Sequence, residues 1–157
     1  MPKKNNVTRL LDQRKIKYQV FELPPEKLGA EETAEILRVP LDIILKTIVV
    51  RRDGSGKTIL AVVPGTGEVD LKALAKGIGE KKVFLTTQKE AESLTKLQVG
   101  GISPLALLNR GFQIVIDRSV ADHQAIHISG GQRGINIRLS SSDLIKLTNA
   151  KTAPITR

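Results

Sequence analysis

Two glycine pairs and one misplaced lysine are the residues of this chain whose types and spacing could do chemistry. In Val99-Gly100-Gly101-Ile102-Ser103-Pro104, adjacent glycines reach positive φ and let the backbone approach a ligand, while Pro104 fixes the exit path. The amides of Gly101 and Ile102 can then point at one spot, a nest suited to an oxyanion. The same residues also suit a tight loop between two helical segments. The second pair lies in Ser129-Gly130-Gly131-Gln132-Arg133-Gly134, which reads as a hairpin loop. Lys46 sits in the apolar run Leu45-Lys46-Thr47-Ile48-Val49-Val50. By the two-residue repeat of a strand it shares a face with Ile48 and Val50. An ammonium there either snorkels to water at the strand end or faces a substrate.

Other chemistries find little support. With no cysteine there is no thiol nucleophile, disulfide or cysteine metal site. His123 and His127 lack a nearby carboxylate cluster, and the residues around His127 alternate like a strand, so no metal site is expected. Gly65-Thr66-Gly67 is too short and wrongly placed for a dinucleotide fingerprint, and no Walker lysine pattern occurs, so no cofactor is implied. The 25 Lys+Arg against 16 Asp+Glu give a net charge of +9, which favours an anionic partner such as nucleic acid. Aromatics are only 3% of the chain and Trp is absent, so base stacking on aromatic platforms is not expected. No apolar run reaches membrane-spanning length and Met1-Pro2-Lys3-Lys4 does not resemble a signal peptide, so a cytoplasmic protein with no membrane partner is expected.

The elements that must position these groups follow from periodicity. The 157 residues fit a single domain, 1–157, with a core of Ile, Leu, Val and Ala. Asn5 or Asn6 caps a first helix; Ile16, Tyr18 and Val20 alternate as a strand. Glu26, Glu31, Glu32 and Glu35 mark a helix with an acidic face turned away from any polyanion. Residues 45–50 and 58–63 form a hairpin at the centre of the sheet, apolar on both faces and therefore covered on both sides. Asp70 caps a further helix, Lys81 to Leu85 form a strand, and Thr87 with Glu90 has the capping-box pattern that opens the helix leading to Gly100-Gly101. A short helical piece at 105–109, strands at 112–117, 126–129 and 135–139, and a helix capped from Ser140 to Asp143 complete the pattern. The polar tail 148–157 is expected to fray.

Taken together, the Lys46 strand and the two glycine loops resemble the YbaK/EbsC family, free-standing relatives of the prolyl-tRNA synthetase editing domain. The likeness spans nearly the whole chain, through the closing Asp143-Leu144 helix. It implies an α+β fold with a curled, partly barrel-like mixed sheet wrapped by helices. The activity it implies is trans-editing hydrolysis of a mischarged tRNA, with Cys-tRNA(Pro) foremost. By the same resemblance Lys46 and Gly101 would be catalytic, and Thr47, Gly100, Ile102, Ser103, Pro104, Ser129, Gly130 and Gly131 would line the substrate pocket. Arg51, Arg52, Lys81 and Lys82, together with Lys3, Lys4 and Arg14, are the candidates for tRNA backbone contacts, and prolyl-tRNA synthetase is a candidate partner. Two positions depart from the family pattern. Phe21 or Leu23 stands where a tyrosine is expected, and Asn136 where an acid is. A deacylase for alanine or another small aminoacyl group, a non-catalytic nucleotide- or tRNA-binding module, and a structural interaction domain remain as alternatives.

Overall fold

The computed structural model describes residues 4–157, so the expectation for Lys3 lies outside the described residues. In chain order the elements begin with α1 (Asn6–Gln13), β1 (Tyr18–Glu22), α2 (Ala30–Leu37), β2 (Leu45–Arg52) and β3 (Ile59–Pro64). They continue with α3 (Leu71–Gly77), β4 (Val83–Leu85), α4 (Gln88–Thr95), β5 (Gln113–Asp117) and β6 (Ala125–Ser129). β7 (Ile135–Ser140), α5 (Ser141–Thr148) and β8 (Lys151–Ala153) complete the fold. Helix starts lie where the side chains dictate: Asn5, Asp70, Thr87 and Ser140 each accept a backbone N–H of the first turn, and Thr87 and Glu90 close a reciprocal box.

β2 and β3 pair antiparallel, with Lys46 opposite Val63 and Val49 opposite Leu60. Every residue of β3 is buried, so both faces of the hairpin must be covered. They are covered by two different cores. Leu45, Val49, Leu60 and Val62 pack with Val7 and Leu11 of α1 and with Ile126, Ile128, Ile135 and Ile137 of β6 and β7. Val50, Ile59, Ala61 and Val63 pack with Leu74 and Ala75 of α3 and with Ile155.

The expected α+β fold with mixed strand pairing is present, and its strands fall into two sheets, ordered β1-β7-β6 and β4-β2-β3-β5-β8, that do not close into a barrel. The reason lies on β2. β4 pairs only with Val50 to Arg52, and β6 meets the chain leading into β2 at one residue pair, Ile44 with His127, so the ladder cannot run on into a barrel. The 105–109 piece shrinks to a 3-10 turn, Pro104–Ala106.

The tail does not fray. β8 pairs parallel with β5, Ile155 is fully buried, and Arg157 and Glu68 exchange backbone hydrogen bonds. Asp117, itself buried, accepts the Ile155 N–H at 2.8 Å. Ala153 and Ile155, alternating within an otherwise polar stretch, are the signal that the composition of the tail hides. Among the described residues no helix is long and apolar enough to cross a membrane.

Candidate active site

Past the bridge between Ile44 and His127, β2 and β6 part, and a cavity of about 650 Å³ opens between the sheets. Its floor is Leu45 to Val49 of β2, and its walls include Ser129, Ile135 and Asn136 on one side and Thr86 to Gln88 on the other. The segment entering α2 runs across it. The β2 edge is unpaired here: the Val49 carbonyl accepts from Thr86, and the two-residue repeat turns the N–H and C=O of Thr47 to the same open side. Thr47 Oγ1 is buried with no hydrogen-bond partner among the described residues.

Lys46 lies on the face of Ile48 and Val50, opposite Val63, as the strand repeat predicts, and it lines the cavity. Its Nζ donates to the Gly67 carbonyl at 2.5 Å. An ammonium has three donors, so this bond fixes its direction and leaves two. Gly67 is wedged in turn by the tail, since a Cβ there would lie 2.3 Å from Thr156 Cγ2.

The first glycine pair divides its labour differently from the sequence reading. Gly100, at φ +98°, and Ile102 both line the cavity, and neither amide has a hydrogen-bond partner among the described residues. Gly101 does not face the cavity. Its amide donates to the Gln98 carbonyl at 2.8 Å, and a Cβ on it would stand 2.7 Å from Gln132 Cα. The expected oxyanion-facing amide at 101 is therefore already used, and Gly101 is the point where the two glycine loops pack backbone to backbone.

Ser103 and Pro104 are buried away from the cavity, with Ser103 Oγ accepting the Leu105 N–H to start the 3-10 turn. Gly130 donates to the Ile135 carbonyl, and Gly131 packs against Val7 and Ala106; neither lines the cavity. The structure thus brings Lys46, Thr47, Gly100, Ile102 and Ser129 together and places Gly101, Ser103, Pro104, Gly130 and Gly131 behind them as support. Arg133 ties the loops by donating from Nε to the Val99 carbonyl at 2.8 Å.

Several wall residues were not anticipated. Glu26 and Glu32 line the cavity, which corrects the reading of an acidic face turned wholly outward. Lys27, between them in sequence, donates to Gln88 Oε1 at 2.9 Å and spans the mouth from the α2 side to α4. Asn136 faces the cavity while its Oδ1 lies 2.8 Å from Nδ1 of His127, a residue 1% exposed. Because an amide oxygen only accepts, Nδ1 carries the proton and Nε2 is left buried without a partner among the described residues. Burial holds this imidazole below its ordinary pKa, the Asn136 contact opposes the shift and Arg138 adds to it, so it is neutral at pH 7. The alternation Ile126-His127-Ile128 was the available signal that His127 points away from the apolar core.

The basic residues sort into two kinds. Arg52 is withdrawn from any surface role: its guanidinium pairs with Glu80 at 2.6 Å and bonds the Gln113 side chain, with 12% of its side chain exposed. Lys4 is held by Asp12 and Tyr18. Arg51, Lys81 and Lys82 are exposed.

Residues 24–147 match the family model of the aminoacyl-tRNA editing domain. The chain is 36% identical over 155 residues to a candidate Cys-tRNA(Pro)/Cys-tRNA(Cys) deacylase, EbsC, of Enterococcus faecalis, spanning 98% of this chain and 93% of that protein. It is 27% identical over 153 residues to the prolyl-tRNA editing protein ProX of Acetoanaerobium sticklandii, with 96% and 93% covered. Its fold matches the crystal structure of a hypothetical protein with a TM-score of 0.89 at 25% identity, covering 98% of this chain and all of the other. The matched segment runs from the approach to α2 through the Lys46 strand and both glycine loops into α5, and on that ground the chain belongs to the aminoacyl-tRNA editing domain family.

Proposed function

We propose that this protein is a trans-editing deacylase that hydrolyses the ester of a mischarged tRNA, with cysteine on proline tRNA as the foremost substrate. The observation that carries the reading is one cavity lined both by Lys46, whose ammonium is fixed by the Gly67 carbonyl, and by Gly100 and Ile102, whose amides have no hydrogen-bond partner among the described residues. No histidine or cysteine lines that cavity. An aminoacyl ester needs less from a protein than an amide does, and oriented donors suit it: one oxyanion donor is worth roughly 3–4 kcal/mol. The names of the two relatives support the same substrate class.

With a cysteinyl substrate the nucleophile comes from the substrate itself. Beside Lys46 the thiol loses its proton more readily than in water. Its sulfur then bonds to the carbonyl carbon, negative charge develops on the carbonyl oxygen against the Gly100 and Ile102 amides, and the carbon–oxygen ester bond breaks. The proton released by the thiol ends on the ribose oxygen that leaves, and water opens the resulting thiolactone. For other aminoacyl groups a water activated by the ribose hydroxyl takes the place of the thiol. Glu26 and Glu32 supply negative charge for the substrate's ammonium group. Specificity for proline tRNA is borrowed from prolyl-tRNA synthetase as partner.

The test is a panel of mischarged tRNAs, cysteinyl and alanyl included, assayed with and without that synthetase. Lys46→Ala is expected to cut deacylation by two orders of magnitude or more with an unchanged melting temperature. Full retained activity removes Lys46 from the mechanism, preference for alanine moves the substrate, and tRNA binding without turnover replaces the enzyme by a binding module.

A further inference from the structure

Phe21 and Phe84 are the aromatic residues that belong to neither core, and Phe84 has no aromatic neighbour to lean on among the described residues. Tyr18 and Phe112 pack against one core, and Phe21 leans on His127 with ring centroids 5.4 Å apart. Phe84 instead sits on the edge strand β4, half-buried, next to Leu85, which is 55% exposed. Its ring is met by cations: Arg51 Cζ and Lys82 Nζ each lie 5.4 Å from its centroid. Arg51 also reaches Glu90 Oε2 at 3.4 Å, a contact with nearly half of each side chain exposed, and such pairs are worth little. Both cations therefore remain available to an anion.

The position of this group matters as much as its composition. Phe84 stands opposite Arg51 in the β2–β4 register, two residues along from Val49 and Thr86, which line the cavity. Two residues of strand are about 7 Å, and the two-residue repeat keeps Arg51 and Val49 on one face, as it does Phe84 and Thr86. A single-stranded end whose acylated residue enters the cavity would lead its neighbouring nucleotide across this ring.

We propose that Phe84, flanked by Arg51 and Lys82, is a stacking platform for an unpaired nucleotide adjacent to the acylated end of the tRNA. The base lies on the ring and the cations take the adjoining phosphates. The scarcity of aromatics in the sequence is no obstacle, because a strand end of a few nucleotides needs one ring. The identity of the occupant rests on the deacylase reading above; the stacking itself does not.

Two measurements test it. Phe84→Ala is expected to raise KM for a mischarged tRNA about tenfold with kcat retained, and to leave hydrolysis of the corresponding aminoacyl-adenosine ester unchanged, since that ester ends before the platform. Phe84→Leu, which keeps the apolar bulk, is expected to match Phe84→Ala. An unchanged KM on tRNA overturns the proposal, as does an equal loss on both substrates, which would mark Phe84 as cavity support. In Phe84→Trp, the sole indole of the chain reports binding directly: a short unpaired RNA ending in CCA is expected to quench its fluorescence, less so as salt rises. Absence of quenching overturns the platform. A wild-type protein that hydrolyses nothing, beside quenching in Phe84→Trp, overturns the deacylase reading and leaves the platform standing.

Discussion

The two neighbouring glycines are required for different reasons although the sequence treats them alike. An added methyl at Gly101 would meet the Gln132 and Arg133 backbone at 2.7–2.8 Å, and backbone cannot swing away. Gly101→Ala is therefore expected to cost about 1–3 kcal/mol in urea unfolding and to lower activity by parting the loops. At Gly100 the penalty is conformational, because φ is +98° and the nearest atom, Lys27 Cα, is 3.3 Å away. Both requirements for a Cβ-free residue were legible as Gly-Gly; which glycine faces the ligand was not, because that depends on where the second loop packs, more than thirty residues downstream. His127 was read only as a residue without metal partners. Buried and neutral, it titrates below its unfolded value, so the unfolded chain binds more protons once the pH drops to about 6.5. Its contribution to stability is complete above that pH and is lost as pH falls toward the folded value. Unfolding free energies measured at pH 7.5 and 5.5 should differ in wild type and differ less in His127→Gln.

Among the elements, β2 was the most legible, since an apolar strand with one lysine states its own face. Two others misled. The segment from Glu26 to Glu35 looks like a solvated helix face by composition, and only the tertiary placement of α2 brings Glu26 and Glu32 over the cavity. The tail looked too polar to order, yet Ala153 and Ile155 reach the second core and Thr156 wedges the Gly67 loop that holds Lys46. Deleting Pro154 to Arg157 is therefore expected to lower kcat for deacylation more than it raises KM, by releasing the ammonium from its fixed direction. The buried Asp117 anchors this tail. Burial pulls its pKa up, but the hydrogen bonds from Ser119 and the Ile155 N–H outweigh burial and leave it below the usual value. That stabilisation is present above about pH 4 and is lost as the pH falls through the folded value. Asp117→Ala, which removes the acceptor altogether, should cost about 1–3 kcal/mol at neutral pH, read as a lowered denaturation midpoint.

For the molecule as a whole, the net charge of +9 pointed to an anionic partner without saying where it docks. Arg52 and Lys4 show why: a cation counted in the sequence can be occupied within the chain, Arg52 with Glu80 in a mostly buried pair and Lys4 with Asp12 at the surface. Affinity for tRNA is expected to fall as salt rises, with a log–log slope set by the few cations left on the cavity side, and Arg51→Ala should flatten that slope by about one unit. The resemblance implied an α+β fold with a mixed sheet, and the chain has it. The division into two sheets was illegible because it turns on where a ladder stops, and nothing in residues 44–47 announces that only Ile44 reaches β6. That solitary rung is the backbone link between β6 and the approach to β2; elsewhere the two sheets are held by the side chains of a shared core, and the cavity fills the gap beyond the rung. A ligand seated there touches strands of both sheets at once. Amide hydrogens of Ile44, Thr47 and Ser129, which line the cavity from both sheets, should therefore exchange more slowly once a non-hydrolysable acyl-adenosine is bound.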